Sequence, residues 1–371
     1  MQLKDMYSLS FLQDVGRVVS KYDPTFNVDE FISDCLQPDW EDLKLMERSD
    51  RVTVSLHRQF PTDFEQAAPL LKQVGPHFTG LVAVCFPNYV AKYGLNHWET
   101  SMELLKLLTR YSTGEFAIRP FLVKYPEATS KLMLSWSLDK EADVRRLASE
   151  GMRPRLPWGI RLNQYIADPS ADLKILHNLI FDQSEYVQKS VANNLNDISK
   201  DNPQVVIAFA KKYWHQTERT DWVLNRGLRT LFKKGVPEVL TLLGYDSAAL
   251  KQLKKAHLTT TVKTSRLGDV SKVHYSLTSQ GNGNLPVYLG YRIHYVRQNK
   301  TDSFKDFFIK RINLKANQTI GGDFNLKWQQ LSTRRLYPGE HVIELLVNTK
   351  VVAQLKINLL PEKNAIVSAS R

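Results

Sequence analysis

DVRRLASEGMRPRLPWGIRL, residues 143–162, places two adjacent arginines, Arg145 and Arg146, on a helix that ends near Glu150. A proline-broken turn follows, carrying Arg153, Arg155 and Trp158. A lone carboxylate would suit any solvated surface. Here it sits among four arginines and a tryptophan, the residue types that hold phosphates and stack on bases or sugars. The stretch therefore reads as a nucleic-acid-facing site with an acid inside it.

On either side a weak repeat appears. EFAIRPFL from Glu115, DVRRLASE from Asp143, EYVQKSVANNLND from Glu185 and DWVLNRGLRTLF from Asp221 each open on an acid and an apolar residue, with a basic or amide residue one turn later. The acids are 28, 42 and 36 residues apart, scattered about the period of roughly 40 of HEAT-type helical pairs. Other helical patterns lie between them, near 127–137, 173–180 and 203–214. The expectation is an all-α HEAT-like α-solenoid whose second helices line a concave face.

After His257 the pattern changes. LTTTVK, VHYSLTS, VYLGYRIHYV, FFIKRINL, DFNLKW, HVIELLV and VVAQLKINL are β-branched and aromatic runs separated by turn signals such as Gly281-Asn-Gly-Asn and Tyr337-Pro-Gly. About seven short strands over some 110 residues is the rhythm of an immunoglobulin-like β-sandwich. A chain of 371 residues suits two domains at about 100–200 residues each. The boundaries expected are 1–257 for the helical domain, 258–361 for the all-β sandwich and 362–371 for a flexible tail.

Composition narrows the function classes. No apolar run approaches the ~18 residues of a membrane helix, and the N-terminus has acids where a secretory signal needs basic and apolar residues, so a cytoplasmic protein is expected. Cys35 and Cys85 stand far apart, with neither zinc-ligand nor disulfide-framework spacing. The net charge of +12 is uneven: −5 over 1–100, +7 over 101–257 and +10 over 258–371. Such polarity would steer a polyanion to the central and C-terminal parts.

HExxH, P-loop, G-x-S-x-G and G-x-G-x-x-G motifs are all absent from the sequence. Carboxylates among arginines remain. Glu115, Glu150 and Asp197 occupy comparable places in three successive repeats, so a solenoid could bring them to one face. For a single acid, a helix cap or salt bridge is the commoner role. Three acids at repeat spacing in a basic region make a shared cationic ligand or transition state competitive. Arg119, Arg146, Arg153, Arg155, Lys189 and Arg226 read as phosphate contacts, or each as a solvated charge. Trp158, in an exposed turn, could stack on a sugar or base; Trp222 has the same two readings, core or site.

GEFAIRPFL (114–122), VRRLASEGMRPRLPWG (144–159), VQKSVANNLNDISKDNP (187–203) and STRRLYPGEH (332–341) resemble the HEAT-like-repeat alkylpurine DNA glycosylases, and within them the AlkC branch, some members of which carry an immunoglobulin-like domain. The resemblance spans nearly the whole chain. It implies a monofunctional glycosylase that excises cationic N3-alkylated bases, 3-methyladenine and 3-methylcytosine, from duplex DNA without deep base flipping. It implies Glu115, Glu150, Asp197 and Trp158 as catalytic residues. DNA contacts would come from Arg119, Arg146, Arg153, Arg155, Lys189, Asn193, Trp222, Arg226, Arg334 and Arg335. A monomer with alkylated double-stranded DNA as partner, no cofactor and no metal is expected. The alternative is a non-catalytic scaffold that binds nucleic acid or an acidic protein.

Overall fold

The computed structural model of the protein describes residues 2–280, 284–298, 303–331 and 335–361. Arg334, the loop residues Asn282 and Gly283, and the expected tail at 362–371 lie outside them. Two compact units divide at Gly227/Leu228.

The first unit, Met1–Gly227, is helical throughout. Its periodicity survives in detail. A hydrogen bond of 2.8 Å joins His57 Nδ1 to the Tyr89 hydroxyl between helices Leu45–Gln59 and Cys85–Tyr93. The same pair, at the same 2.8 Å, joins His177 to Tyr213 between helices Ser170–Leu179 and Pro203–Tyr213. Separate helical units thus reuse the same half-buried contact. The expected helices near 127–137, 173–180 and 203–214 form as Pro126–Trp136, Ser170–Leu179 and Pro203–Tyr213.

The organising stretch begins as helix Ala142–Met152. Asp139 Oδ1 accepts the Glu141 N–H at 2.9 Å ahead of it, and Asp143 sits in its first turn, where an acid complements the helix dipole. Val144, Leu147, Ala148 and Met152 are buried, but so are Arg146, Ser149 and Glu150. A helix buried this far round needs partners for every polar group it carries. Gly151 is required by packing: a Cβ there would lie 2.7 Å from Ile118 Cγ2 and 2.8 Å from Met133 Cε. The helix stops at Arg153 (φ −50°, ψ 124°), because a residue before proline is driven to extended backbone and Pro154 follows.

The second unit, Leu228–Arg371, holds eight strands among its described residues: β1 Leu253–Thr260, β2 Thr264–Arg266, β3 Val270–Ser279, β4 Leu285–His294, β5 Phe304–Leu314, β6 Thr319–Lys327, β7 Gly339–Val347 and β8 Lys350–Leu360. They form two sheets, β1-β3-β6 and β2-β8-β7-β4-β5, antiparallel except where β2 runs parallel to β8. Strand β3 alternates strictly, burying Val273, Tyr275 and Leu277 against residues of the other sheet such as Leu289, Ile343 and Leu345, with Trp328 among them. This is the expected sandwich, with one short strand more than the apolar runs showed. Three residues are too few to give a pattern.

The units divide 30 residues ahead of the expected boundary at 257/258, although the strands themselves begin only at Leu253. Two short helices, Arg229–Lys233 and Pro237–Leu242, belong to the second unit. Phe232 packs edge-on against Tyr288 of β4 (centroids 4.6 Å, 74°) and against Tyr245 (5.7 Å, 77°), so they are tied to a sheet despite their helical sequence. The move changes the electrostatics. Residues 1–227 carry a net charge of −2 and residues 228–371 carry +14, so essentially all of the positive excess is in the second unit.

Candidate active site

Two helices face each other with complementary polar stripes. Arg146, Glu150 and Arg153 follow at i, i+4 and i+7 on and just past helix Ala142–Met152; Ser190, Asn194 and Asp197 repeat that spacing on helix Glu185–Ile198. Ser190 Oγ donates to Glu150 Oε2 at 2.6 Å, Asn194 Nδ2 donates to the Ser149 carbonyl at 2.8 Å, and Arg153 Nε donates to Asp197 Oδ2 at 2.8 Å. Register between the helices is thus fixed by hydrogen bonds along their whole contact.

The result is a chain of alternating charges. Arg146 holds both oxygens of Glu115, with Nη1 at 2.8 Å and Nη2 at 3.2 Å, and lies 3.6 Å from Glu150 Oε1. Arg153 Nη1 donates to the same Glu150 oxygen at 2.5 Å, while its Nη2 lies 2.7 Å from Asp197. Lys200 Nζ closes the chain on Asp197 Oδ1 at 2.7 Å. The three acids are 6%, 6% and 2% exposed. Burying carboxylates this deeply is costly unless cations meet them, and each of the three has an arginine nitrogen within 2.8 Å. Burial works against the charge on Arg146 as well, but Glu115 and Glu150 outweigh it and hold its pKa above the ordinary arginine value.

Sequence spacing treated the acids as equivalent, and for Glu115 that needs correction. Glu150 and Asp197 sit in the last turns of their helices, whereas Glu115 lies in the turn ahead of helix Arg119–Lys124. It joins the cluster because Arg146 reaches it, aided by Thr113 Oγ1, which accepts from Arg146 Nη1 at 2.6 Å. The Tyr186 ring covers the same guanidinium at 4.8 Å. Sequence reading missed Ser190, Asn194, Thr113 and Tyr186; the i, i+4, i+7 polar stripe could have found the first two.

The phosphate-clamp expectation is corrected furthest at Arg119. It is 0% exposed and gives its donors to three carbonyls: Nε to Ile160 at 2.7 Å, and Nη1 to Gly151 at 2.8 Å and Arg153 at 2.9 Å. It cannot reach a phosphate, because it is wholly buried, and Nε and Nη1 hold both ends of the turn that carries Trp158. Burial, then the nearby Arg153 charge, lower its pKa to about 10. Above it, Trp158 stands 66% exposed at φ 65°, in the left-handed region that non-glycine residues avoid. Backbone strain at an exposed aromatic, beside a turn clamped by a buried arginine, makes this turn a candidate functional element.

Arg146 and Arg153 are likewise committed to carboxylates, and Arg155 forks onto Asp201 with two bonds of 2.7 Å. Lys189 is exposed and pairs with Glu185. Trp222, 40% exposed, stacks with Arg226 at 5.7 Å on helix Glu218–Gly227, and Asn193 is part-buried on the Asp197 helix. Arg335 is exposed, with its guanidinium over the Tyr337 ring at 5.6 Å. Within the first unit, then, the three acids and their arginines converge, and the remaining expected cations have partners elsewhere.

Comparison with known proteins matches the helical and β-strand parts of the chain separately. A family described as "DNA alkylation repair enzyme" matches residues 112–231, which hold the whole acid chain, and one described as "Uncharacterised protein YhaZ, C-terminal Ig-like domain" matches residues 254–361. The chain is 39% identical over 349 residues to the uncharacterized protein YhaZ of Bacillus subtilis (strain 168), covering 94% of this chain and 97% of that one. It is also similar to the Pseudomonas fluorescens alkylpurine DNA glycosylase AlkC, solved bound to DNA containing an abasic site analog. There the identity is 34%, the TM-score 0.92, and the match covers 97% of this chain and all of that one. With both units matched end to end, the chain belongs to the AlkC family of HEAT-like-repeat DNA alkylation repair proteins.

Proposed function

We propose that the protein is a monofunctional DNA glycosylase that hydrolyses the N-glycosidic bond of cationic N3-alkylated bases, such as 3-methyladenine and 3-methylcytosine, in duplex DNA and leaves an abasic site. The observation that carries this reading is the Glu115–Arg146–Glu150–Arg153–Asp197 chain, three buried carboxylates bridged by arginines beside an exposed tryptophan turn. Relatedness to an alkylpurine DNA glycosylase supports it.

The chemistry suits those groups. A base alkylated at N3 is already cationic, so when the bond from C1′ to its nitrogen breaks, the electron pair leaves with the base and neutralises it. No general acid is needed. The positive charge passes to the sugar, where fixed carboxylates stabilise an oxocarbenium-like transition state. Water then adds at C1′ and its proton goes to a carboxylate or to solvent. Preorganisation matters here: arginine bridges hold the acids in place before the charge develops, so little reorganisation is required. Trp158 would stack on the sugar or base, engaging the lesion without swinging it into a deep pocket.

In this reading the second unit supplies the grip on DNA. Its +14 charge contrasts with −2 for the first, where Arg119, Arg146, Arg153 and Arg155 are bound to carboxylates or carbonyls. The direct test is release of free methylated base from methylated duplex DNA by the purified protein. Binding without release of base would leave the scaffold alternative standing.

A further inference from the structure

Behind the acid chain lie three fully buried polar atoms with no hydrogen-bond partner among the described residues: Arg119 Nη2, Asp172 Oδ2 and Asn194 Oδ1. They belong to one locality. Asn194 Nδ2 donates both to Asp172 Oδ1 at 2.8 Å and to the Ser149 carbonyl at 2.8 Å. Arg119 Nη1 donates to the Gly151 carbonyl, two residues further along the same helix end. The C-terminal carbonyls of helix Ala142–Met152 are therefore capped by side chains from two other segments. Each capping group keeps one polar atom over.

One spare atom is a donor on a cation and two are oxygens on a carboxyl and an amide. Leaving such atoms unsatisfied is costly, most of all for the charged groups. Their number and kind match a single water, which accepts from one donor and donates to two acceptors, close to the usual three bonds of an internal water. Asp172 is also among the charges felt at Arg119, which places the two groups within electrostatic reach.

We propose that Arg119, Asp172 and Asn194 enclose an internal hydration site, and that through it Asp172 acts as a positioning residue. One water accepts from Arg119 Nη2, donates to Asn194 Oδ1 and takes Asp172 Oδ2 as its third partner, whether that carboxyl is ionised or protonated. It ties the arginine that holds the Trp158 turn to the asparagine that holds the helix end carrying Glu150. Tryptophan and acid are thereby kept in one register.

The hydration site stands apart from the glycosylase reading; only its effect on excision rests on that reading. A high-resolution crystal structure of the full-length wild type should show a water within hydrogen-bonding distance of all three atoms. Density empty at that point, or a direct Arg119–Asp172 contact, would overturn the proposal. Asp172→Leu should speed trypsin cleavage after Arg155 and Arg161, at the Trp158 turn, roughly tenfold relative to sites elsewhere in the chain. It should slow single-turnover excision roughly tenfold with little change in binding of abasic-site DNA. Asp172→Asn, which keeps a hydrogen-bonding group there, should restore both. If Asp172→Leu does not fold, the wild-type density and Asp172→Asn still decide. If the protein has no excision activity at all, the water and the cleavage pattern are judged alone, and unchanged cleavage in a folded Asp172→Leu protein would contradict the positioning role.

Discussion

Arg153 grips Asp197 with two of its guanidinium nitrogens, Nε at 2.8 Å and Nη2 at 2.7 Å, both on Oδ2. Its remaining nitrogen reaches Glu150 at 2.5 Å. One side chain thus compensates two buried acids from different helices, and its removal leaves both short of a cation. Arg153→Met should destabilise the first unit by about 3–5 kcal/mol in denaturant unfolding, the range for breaking a buried ion pair. A loss below about 1 kcal/mol would mean that the bridge is incidental.

Trp158 combines exposure with backbone strain, so stability and function should separate there. The left-handed conformation costs an L-residue roughly 1–2 kcal/mol, and glycine adopts it freely. Trp158→Gly should therefore leave the melting temperature unchanged or slightly higher, while excision falls. A marked drop in melting temperature would show that the ring is holding the fold together.

Asp172 sets a pH dependence of stability whose sign follows from its burial. Burial raises its pKa well above that of a free aspartate, against the opposing bond from Asn194. The folded chain then binds the proton more tightly than the unfolded chain, so this group subtracts stability as pH rises above about 3.9, the unfolded value. Asp172→Asn should unfold at higher denaturant than wild type at pH 7, with the difference shrinking towards pH 4. A difference that grows on acidification would contradict this.

Salt dependence should follow the second unit. Lys233, Lys234 and Lys305 are exposed and line one groove with Phe304, which is itself exposed. Replacing all three with alanine in the full chain should lower the magnitude of the slope of log affinity against log salt by roughly 2 to 3, at about 0.9 for each phosphate no longer neutralised. Fluorescence anisotropy on duplex DNA across a salt series reads this. Excision at saturating protein should not change, and an unaltered slope would place the DNA grip elsewhere.

The architecture was legible because period and composition are local properties. Helical spacing up to the Asp221 segment and alternation after His257 reported helices and a sandwich, with Val273, Tyr275 and Leu277 showing the alternation most plainly. The unit boundary was not legible: Phe232 lies in a helical sequence, and only its contact with Tyr288 assigns it to the β-unit. At the site, Glu115, Glu150 and Asp197 stood out as acids in basic surroundings. Whether a nearby arginine meets phosphate, carboxylate or carbonyl depends on partners 31 to 44 residues away. Arg119 shows the limit, because nothing in GEFAIRPFL separates a phosphate contact from a buried clamp on Gly151, Arg153 and Ile160.

The central claim is that buried carboxylates act on the transition state and not on DNA binding, and Glu150→Gln tests it most directly. Gln keeps the shape, with its amide oxygen able to accept from Arg153 and its NH2 able to donate to the Ser190 hydroxyl, but it lacks the charge that would stabilise a cationic sugar. Single-turnover release of 3-methyladenine from methylated duplex DNA should fall by roughly 10² or more, while affinity for abasic-site DNA stays within about twofold of wild type. Equal losses of rate and affinity, or a variant that releases base at the wild-type rate, would contradict the account.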